Sequence, residues 1–205
     1  MSAALPRAPA AARNAAPILE ALRGLLGPED TVLEIGSGTG EHVVRFAAAM
    51  PPTRWQPSDV AARVPTLQRR LDAEAPPNVA PAIALDVVRD PWPTGPFDAC
   101  LTINTFHIVS MGAVASVFGG AATRLRPGGL LVVYGPVNVG GAYTSEGNRA
   151  FDASLRAVDP ESGLRDLEAL DRLAAATGFA REALVTMPAN NRLAAWRRAA
   201  SGTPA

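Results

Sequence analysis

Three strand-end acids around one glycine loop carry the first chemical signal in this chain. The run Val32-Leu33-Glu34-Ile35-Gly36-Ser37-Gly38-Thr39-Gly40-Glu41-His42 sets glycines at every second position behind an apolar stretch. Glycine reaches backbone conformations closed to other residues, and it lets a ligand approach the main chain. A helix starting here offers unpaired N–H groups to a carboxylate or phosphate. Glu34 sits two residues before the first glycine. A carboxylate there repels a pyrophosphate and attracts a cationic group. Asp59 follows Gly40 by 19 residues, a spacing at which an acid accepts ribose hydroxyls. Asp86, with Val87 after it, closes the next β-like run, where it can meet an adenine edge. The GxGxG spacing departs from the dinucleotide pattern GxGxxG, which together with Glu34 counts against a nicotinamide oxidoreductase. The bland alternatives are a tight strand–helix turn for the loop and solvated or capping positions for Asp59 and Asp86.

A second group of candidates lies further along. His107 follows Asn104 by three residues, just past the apolar run 97–103. It is the candidate general base, with a structural or substrate-shaping histidine as the alternative. His42 is expected to pack against the helix it starts. Cys100, mid-run, is expected to be a buried small hydrophobe rather than a nucleophile. Residues 136–160 are rich in Gly, Ser and Asn, then briefly amphipathic at 151–155. They are expected to form a lid over the strand ends, with Tyr134, Tyr143, Ser145, Asn148, Phe151 and Asp152 as candidate acceptor contacts; a packed surface helix is the alternative. Asn190 and Asn191 suit a turn, with a polar site role as the alternative. The pairs Arg69-Arg70 and Arg197-Arg198 are expected on solvated faces.

These residues need elements to position them. Residues 14–26 predict an amphipathic helix with Pro17 in its first turn and Gly27-Pro28 as its stop. Residues 31–36, 54–58, 80–87, 97–103 and 130–134 predict strands. Helices are predicted at 40–50, 61–74, 111–125 and 165–177, the third ended by Pro127-Gly128-Gly129 and the last by Gly178. Two closing strands are predicted at 179–187 and 192–198. Strand–helix alternation predicts an α/β, Rossmann-like, doubly wound and mostly parallel sheet of seven strands with a final antiparallel strand. Ligands on such sheets sit at the carboxyl ends of the strands.

Composition bounds the function. The 205 residues favour a single domain, with 136–160 as an insertion within it and 1–10 and 199–205 as flexible tails. Nineteen basic and nineteen acidic side chains cancel, which argues against nucleic acid as a partner. All the basic residues are arginine, so neither a Schiff-base lysine nor a P-loop lysine is available. One cysteine and two histidines exclude an intramolecular disulfide and argue against a structural metal. No apolar run approaches the roughly 18–20 residues of a membrane span. Pro6, Arg7 and Pro9 interrupt the first residues, so a signal peptide is not expected and a cytoplasmic setting is.

VLEIGSGTGEH, the strand-end Asp59 and LRPGGLLVVYG together resemble a class I S-adenosylmethionine-dependent methyltransferase over about residues 30–135. ARNAAPILEAL, WQPSD, LDV, PFDA, NTFHI, YGP, SEGNRAFDASLR and MPANN carry a narrower similarity, over nearly the whole chain, to the methyltransferase-like 26 family, a domain-of-unknown-function group. The resemblance implies S-adenosylmethionine as cofactor, with Glu34, Gly36, Ser37, Gly38 and Gly40 at its amino-acid end. It implies Asp59 at the ribose, Asp86 and Val87 beside the adenine, and the Asn104 main chain beside the methionine moiety. Arg13 and Asn14 match an Arg-Asn pair before the first helix that closes over cofactor or substrate, with helix capping as the alternative for Asn14. After the fourth strand the chain reads Asn104-Thr105-Phe106-His107, without the Asp/Asn-Pro-Pro-aromatic signature of base or glutamine-amide methyltransferases. The expected activity is methyl transfer to a small-molecule acceptor. The alternative is an S-adenosylmethionine-binding protein without turnover.

Overall fold

The computed structural model of the chain describes residues 5–6 and 9–200. The chain divides into two compact units, Met1–Asp86 and Val87–Ala205. In the first, the order is α1 (Pro9–Arg23), β1 (Thr31–Ile35), α2 (Glu41–Ala49), β2 (Arg54–Asp59), α3 (Val64–Glu74) and β3 (Ile83–Ala84). The strands lie in the order β3-β2-β1 and are parallel. Ala15, Ile18 and Leu22 recur at helical spacing on α1 and are all buried, so α1 presents one apolar face. Val32, Leu33, Phe46, Trp55 and Leu67 are buried in the same unit. The β1 strand ends at the glycine loop, so the loop and Asp59 emerge at carboxyl ends of neighbouring strands.

The second unit contains β4 (Phe97–Ile103), α4 (Met111–Arg124), β5 (Leu125–Asn138), α5 (Glu146–Val158), β6 (Arg165–Asp166), α6 (Leu167–Ala176), β7 (Phe179–Thr186) and β8 (Asn191–Arg198). Its strand order is β4-β5-β8-β7, with β6 pairing the end of β5. The β4 and β5 strands are parallel, and β8 runs antiparallel to both β5 and β7. Ala99 to Ile103 are buried without a break, as in a strand covered on both faces. The fold is α/β with a mostly parallel sheet and a final antiparallel strand, as expected. Among the described residues of the second unit, the two-residue β6 is an addition to the expected strands.

Several boundaries differ from the sequence reading. Helix α1 begins at Pro9 and not at Asn14, so Arg13, Asn14 and Pro17 lie inside it. The run 80–87 yields only Ile83–Ala84 as strand, because Pro81 withholds a donor and the chain leaves the sheet edge. The β5 strand takes in Pro127, Gly128 and Gly129, and α4 stops earlier, at Arg124. Residues 165–166 pair with β5, and α6 starts only at Leu167, capped by the Asp166 carboxylate. The amphipathic stretch at 151–155 is part of a 13-residue helix. Ser145 caps it by accepting the Asn148 N–H at 3.0 Å. Of the two expected tails, residues 1–4, 7–8 and 201–205 lie outside the described residues. Ala199 donates its N–H to the Gly178 carbonyl at 2.9 Å. Among the described residues, no helix is long and apolar enough to cross a membrane.

Candidate functional site

In the first unit, β1 delivers Glu34 to the base of the glycine loop, and 2% of the residue is exposed. Its Oε2 is buried without a hydrogen-bond partner among the described residues. Burial pushes its pKa up to about 7; the Ser37 hydroxyl pulls against this and the Asp59 charge adds to it. Gly36, Gly38 and Gly40 have φ of 72°, 57° and 79°, the left-handed region that favours glycine. A Cβ on Gly40 would lie 2.8 Å from Leu67 Cδ1, whereas one on Gly38 would meet nothing within 4 Å. The loop therefore packs on α3 through Gly40 and is open at Gly38.

Side chains and main chain hold this loop to β2. The Ser37 N–H donates to the Ser58 carbonyl at 2.9 Å. The Ser58 N–H donates to Ser37 Oγ at 3.2 Å, and Ser58 Oγ donates to the Glu34 carbonyl at 2.7 Å. Asp59 accepts the Gly38 N–H on Oδ2 at 2.7 Å and the Val60 N–H on Oδ1 at 2.8 Å. Each carboxylate oxygen keeps a further lone pair. Asp59 thus braces the loop and retains acceptor capacity on both oxygens. Asp86 is half-buried two residues past β3.

Arg70 corrects the expectation of a solvated arginine pair. It is 5% exposed, while Arg69 beside it is exposed. Its Nε donates to the Thr39 carbonyl in the loop at 2.6 Å, and its Nη2 to the Pro6 carbonyl at 2.5 Å. Glu74 pairs with its Nη1 at 2.7 Å. One guanidinium thereby ties the glycine loop to the segment before α1. Asn14 is buried on α1 with Oδ1 2.8 Å from His42 Nε2, and Arg13 is exposed. Asn14 therefore does not cap α1; it fixes the His42 ring, which also contacts Phe46. Burial first and Arg45 second lower the His42 pKa to about 4, so it is packed and neutral.

In the second unit, the β4 end places Asn104 with φ of 55° and its N–H on the Tyr134 carbonyl at 2.8 Å. A Cβ added to Gly135 would lie 3.5 Å from His107 Nδ1 and 3.8 Å from Asn104 Oδ1. The absent side chain on β5 therefore makes room where the imidazole and the Asn104 amide converge. His107 is 7% exposed, and Phe151 of α5 meets its ring edge-on with centroids 5.4 Å apart. Burial first, and the Arg165 charge second, lower its pKa to about 4. A neutral imidazole can accept a hydrogen bond or a proton, but at this pKa it is a weak base.

The remaining acceptor candidates divide. Phe151 is 39% exposed beside the histidine. Tyr134 is buried within β5. Ser145 is the α5 cap, and Asn148 Nδ2 is bonded to Thr144 Oγ1 at 2.8 Å. The Tyr143 hydroxyl donates to Asp152 Oδ2 at 2.8 Å. Asp152 is 3% exposed and also receives Arg156 Nε at 2.9 Å and the Leu164 N–H at 2.6 Å. Asp152 is thus an anchor inside the unit and not a surface contact. Cys100 is buried, which pushes its thiol pKa strongly upward. Sequence reading missed Arg70 and Arg165, because an arginine that bonds main-chain carbonyls has no spacing signature. The only available hint was the position of Arg70 between Leu67 and Leu71 on one helical face.

The family described as "Protein of unknown function (DUF938)" matches residues 5–198, and the chain belongs to that family. Solved structures supply the fold likeness. The mitomycin 7-O-methyltransferase MmcR superposes with a TM-score of 0.80 at 16% identity, over 93% of this chain and 54% of that one. The S-adenosylmethionine-dependent methyltransferase SibL gives 0.77 at 18% identity, over 92% of this chain and 55% of that one. An O-methyltransferase family 2 protein from Planctomyces limnophilus, solved in complex with apigenin, gives 0.74 at 16% identity, over 90% and 61%. The chain therefore spans between half and two thirds of the length of these structures. At such identities the likeness is one of fold.

Proposed function

We propose that this family member is an S-adenosylmethionine-dependent methyltransferase acting on a small-molecule acceptor. The observation that carries the proposal is the buried Glu34 carboxyl, whose Oε2 is unpartnered at the base of a left-handed glycine loop. The residues fit the cofactor: Glu34 suits a cationic amino group, the open Gly38 suits close main-chain approach, and Asp59 keeps lone pairs for ribose hydroxyls. Gly36, Ser37 and Gly40 complete the loop contacts. The resemblance to class I methyltransferases and the methyltransferase-like 26 family adds Asp86, Val87 and Asn104 to the donor contacts and Arg13 to the closing segment. For Asn14 the proposal is a supporting role through His42.

When bound, the cofactor supplies an electrophilic methyl group for in-line displacement, without metal or covalent enzyme intermediate. The chain's part is to bind and orient, which can contribute about 7–11 kcal/mol of barrier lowering. His107, neutral over the physiological range, would accept the hydrogen bond or the proton of the acceptor's nucleophile. Phe151 would offer its exposed ring as an apolar wall, with Tyr143 held by Asp152 nearby in sequence. A cytoplasmic setting belongs to the same proposal. The weak basicity of His107 favours one competing function, cofactor binding without turnover.

Calorimetry with S-adenosylmethionine and S-adenosylhomocysteine, and NAD as control, tests the donor assignment. Micromolar binding of either sulfur compound and none of NAD is expected. Tighter binding of NAD would replace the proposal with a nicotinamide enzyme. Methyl transfer to a panel of small hydroxyl and amine acceptors then separates an enzyme from a binding protein.

A further inference from the structure

The His107 side chain contacts Phe151, and the main-chain carbonyls of its turn are bonded to Gly163 and Arg165. Arg165, on β6, is 6% exposed. Its Nε donates to the Phe106 carbonyl at 2.9 Å, and its Nη2 donates to the carbonyls of Val109 and of Glu161, the latter at 2.8 Å. Phe106 and Val109 bracket His107 and Ile108. The Gly163 N–H adds a bond to the His107 carbonyl itself at 2.9 Å. The neighbouring Leu164 N–H is held by Asp152 of α5, adjacent to the Phe151 that meets the imidazole. Two elements distant in sequence from His107 therefore close a ring around it. A guanidinium fork is suited to this, because it reaches carbonyls in different directions at once.

We propose that Arg165 is a positioning residue for His107, clamping the 106–109 turn so that the imidazole stays against Phe151. The inference rests on the assignment of His107 to the acceptor site. Its second consequence is electrostatic. Arg165 is the charge that acts on His107, and Arg165 itself feels Arg156 and Asp152 on α5 and Asp159 and Glu161 in the connection to β6. Burial is the main reason that His107 resists protonation, and the Arg165 charge is the next. The same side chain thus holds the ring in place and keeps a proton off it. The guanidinium itself stays charged, although burial lowers its pKa.

The chain has only two histidines, so each imidazole is separately readable by long-range ¹H–¹⁵N spectra of labelled protein. His42, bonded to Asn14, is the internal control. Arg165→Met is expected to raise the His107 titration midpoint by ~0.5–1 unit and to weaken its ring contacts to Phe151, with His42 unmoved. Arg165→Lys keeps the charge and loses the fork. It is expected to leave the midpoint low while still weakening those contacts. If Arg165→Met does not fold, the ring contacts in Arg165→Lys decide alone. Wild-type His107–Phe151 contacts in the folded variant would overturn the clamp. These spectra need neither cofactor nor acceptor, so failure of cofactor binding leaves their outcome readable and the two assignments fall separately.

Discussion

The Gly38 main-chain N–H donates to Asp59 Oδ2 at 2.7 Å, so the glycine loop and the acid that ends β2 form one hydrogen-bonded unit. A substitution at Asp59 therefore acts twice, on the ligand and on the loop. Asp59→Asn keeps the shape but has one acceptor oxygen for two N–H donors, Gly38 and Val60. Its S-adenosylmethionine affinity by calorimetry is expected to fall about 10–150-fold, the equivalent of about 1.5–3 kcal/mol for a hydrogen bond to a charged group. An affinity within twofold of wild type would remove Asp59 from the ribose.

Gly38 and Gly40 separate binding from stability. Both have positive φ, so alanine at either costs about 1–2 kcal/mol of backbone strain. A methyl on Gly40 also lies 2.8 Å from the buried Leu67 Cδ1, whereas a methyl on Gly38 enters open space. Urea denaturation is expected to show the larger loss for Gly40→Ala. Calorimetry of the folded Gly38→Ala variant is expected to show at least tenfold weaker cofactor binding, because its methyl projects where the ligand would approach the main chain. Equal affinity in Gly38→Ala and wild type would mean that the loop does not face the cofactor there.

Much of this arrangement was legible in the sequence. Glycine spacing and apolar runs carry information about local backbone and burial, and β1, α2, β2 and β4 followed them closely. The third strand shrank to Ile83–Ala84 because edge pairing depends on where Pro81 falls in the ladder. The Arg165–Asp166 pairing to the end of β5 was invisible because it is a long-range contact made inside what reads as a helix start. Glu34 and Asp59 could be singled out by position, but that Asp59 braces Gly38 could not. Neither could the roles of Arg70 and Asp152, which depend on burying a charged group beside partners distant in the chain. Charged residues default to solvent in a sequence reading, and here the default failed where the loops are held.

Cofactor binding is expected to release a proton near neutrality. Burial leaves Glu34 with a pKa of about 7, against 4.5 ordinarily, so it is partly protonated at pH 7 before a ligand arrives. A cationic group placed against Oε2 favours the carboxylate and displaces that proton. Affinity should therefore increase as pH rises from about 6 to 7 and level off above. The calorimetric enthalpy should vary with the ionisation heat of the buffer. Glu34→Gln should abolish both dependences. A wild-type affinity flat from pH 6 to 8 would mean that Glu34 does not face the cationic group.

The two histidines are expected to dominate the loss of stability in acid, with a sign opposite to that of Glu34. Each is held neutral with a pKa lowered from 6.5 to about 4. Between those values the unfolded chain takes up a proton at each site and the folded chain does not. Their stability contribution is thus fully present above pH 6.5 and is lost as the pH falls toward 4. Glu34, raised from 4.5 to about 7, works the other way: its contribution is present below pH 4.5 and is lost as the pH rises toward 7. Two histidines outweigh one glutamate, so the urea midpoint of the wild type is expected to fall from pH 7 to pH 5. In the double variant His42→Gln, His107→Gln the Glu34 contribution is expected to set the slope in that window, and the midpoint should rise over the same interval. Burial raises the Asp152 pKa, but hydrogen bonds from Arg156, the Leu164 N–H and Tyr143 outweigh it; hydrogen bonds also lower Asp166, and Arg197 lowers Glu182, so these three lose their contributions only at lower pH and do not mask this reversal. A double variant that loses stability from pH 7 to 5 as steeply as the wild type would show that other groups drive the acid transition.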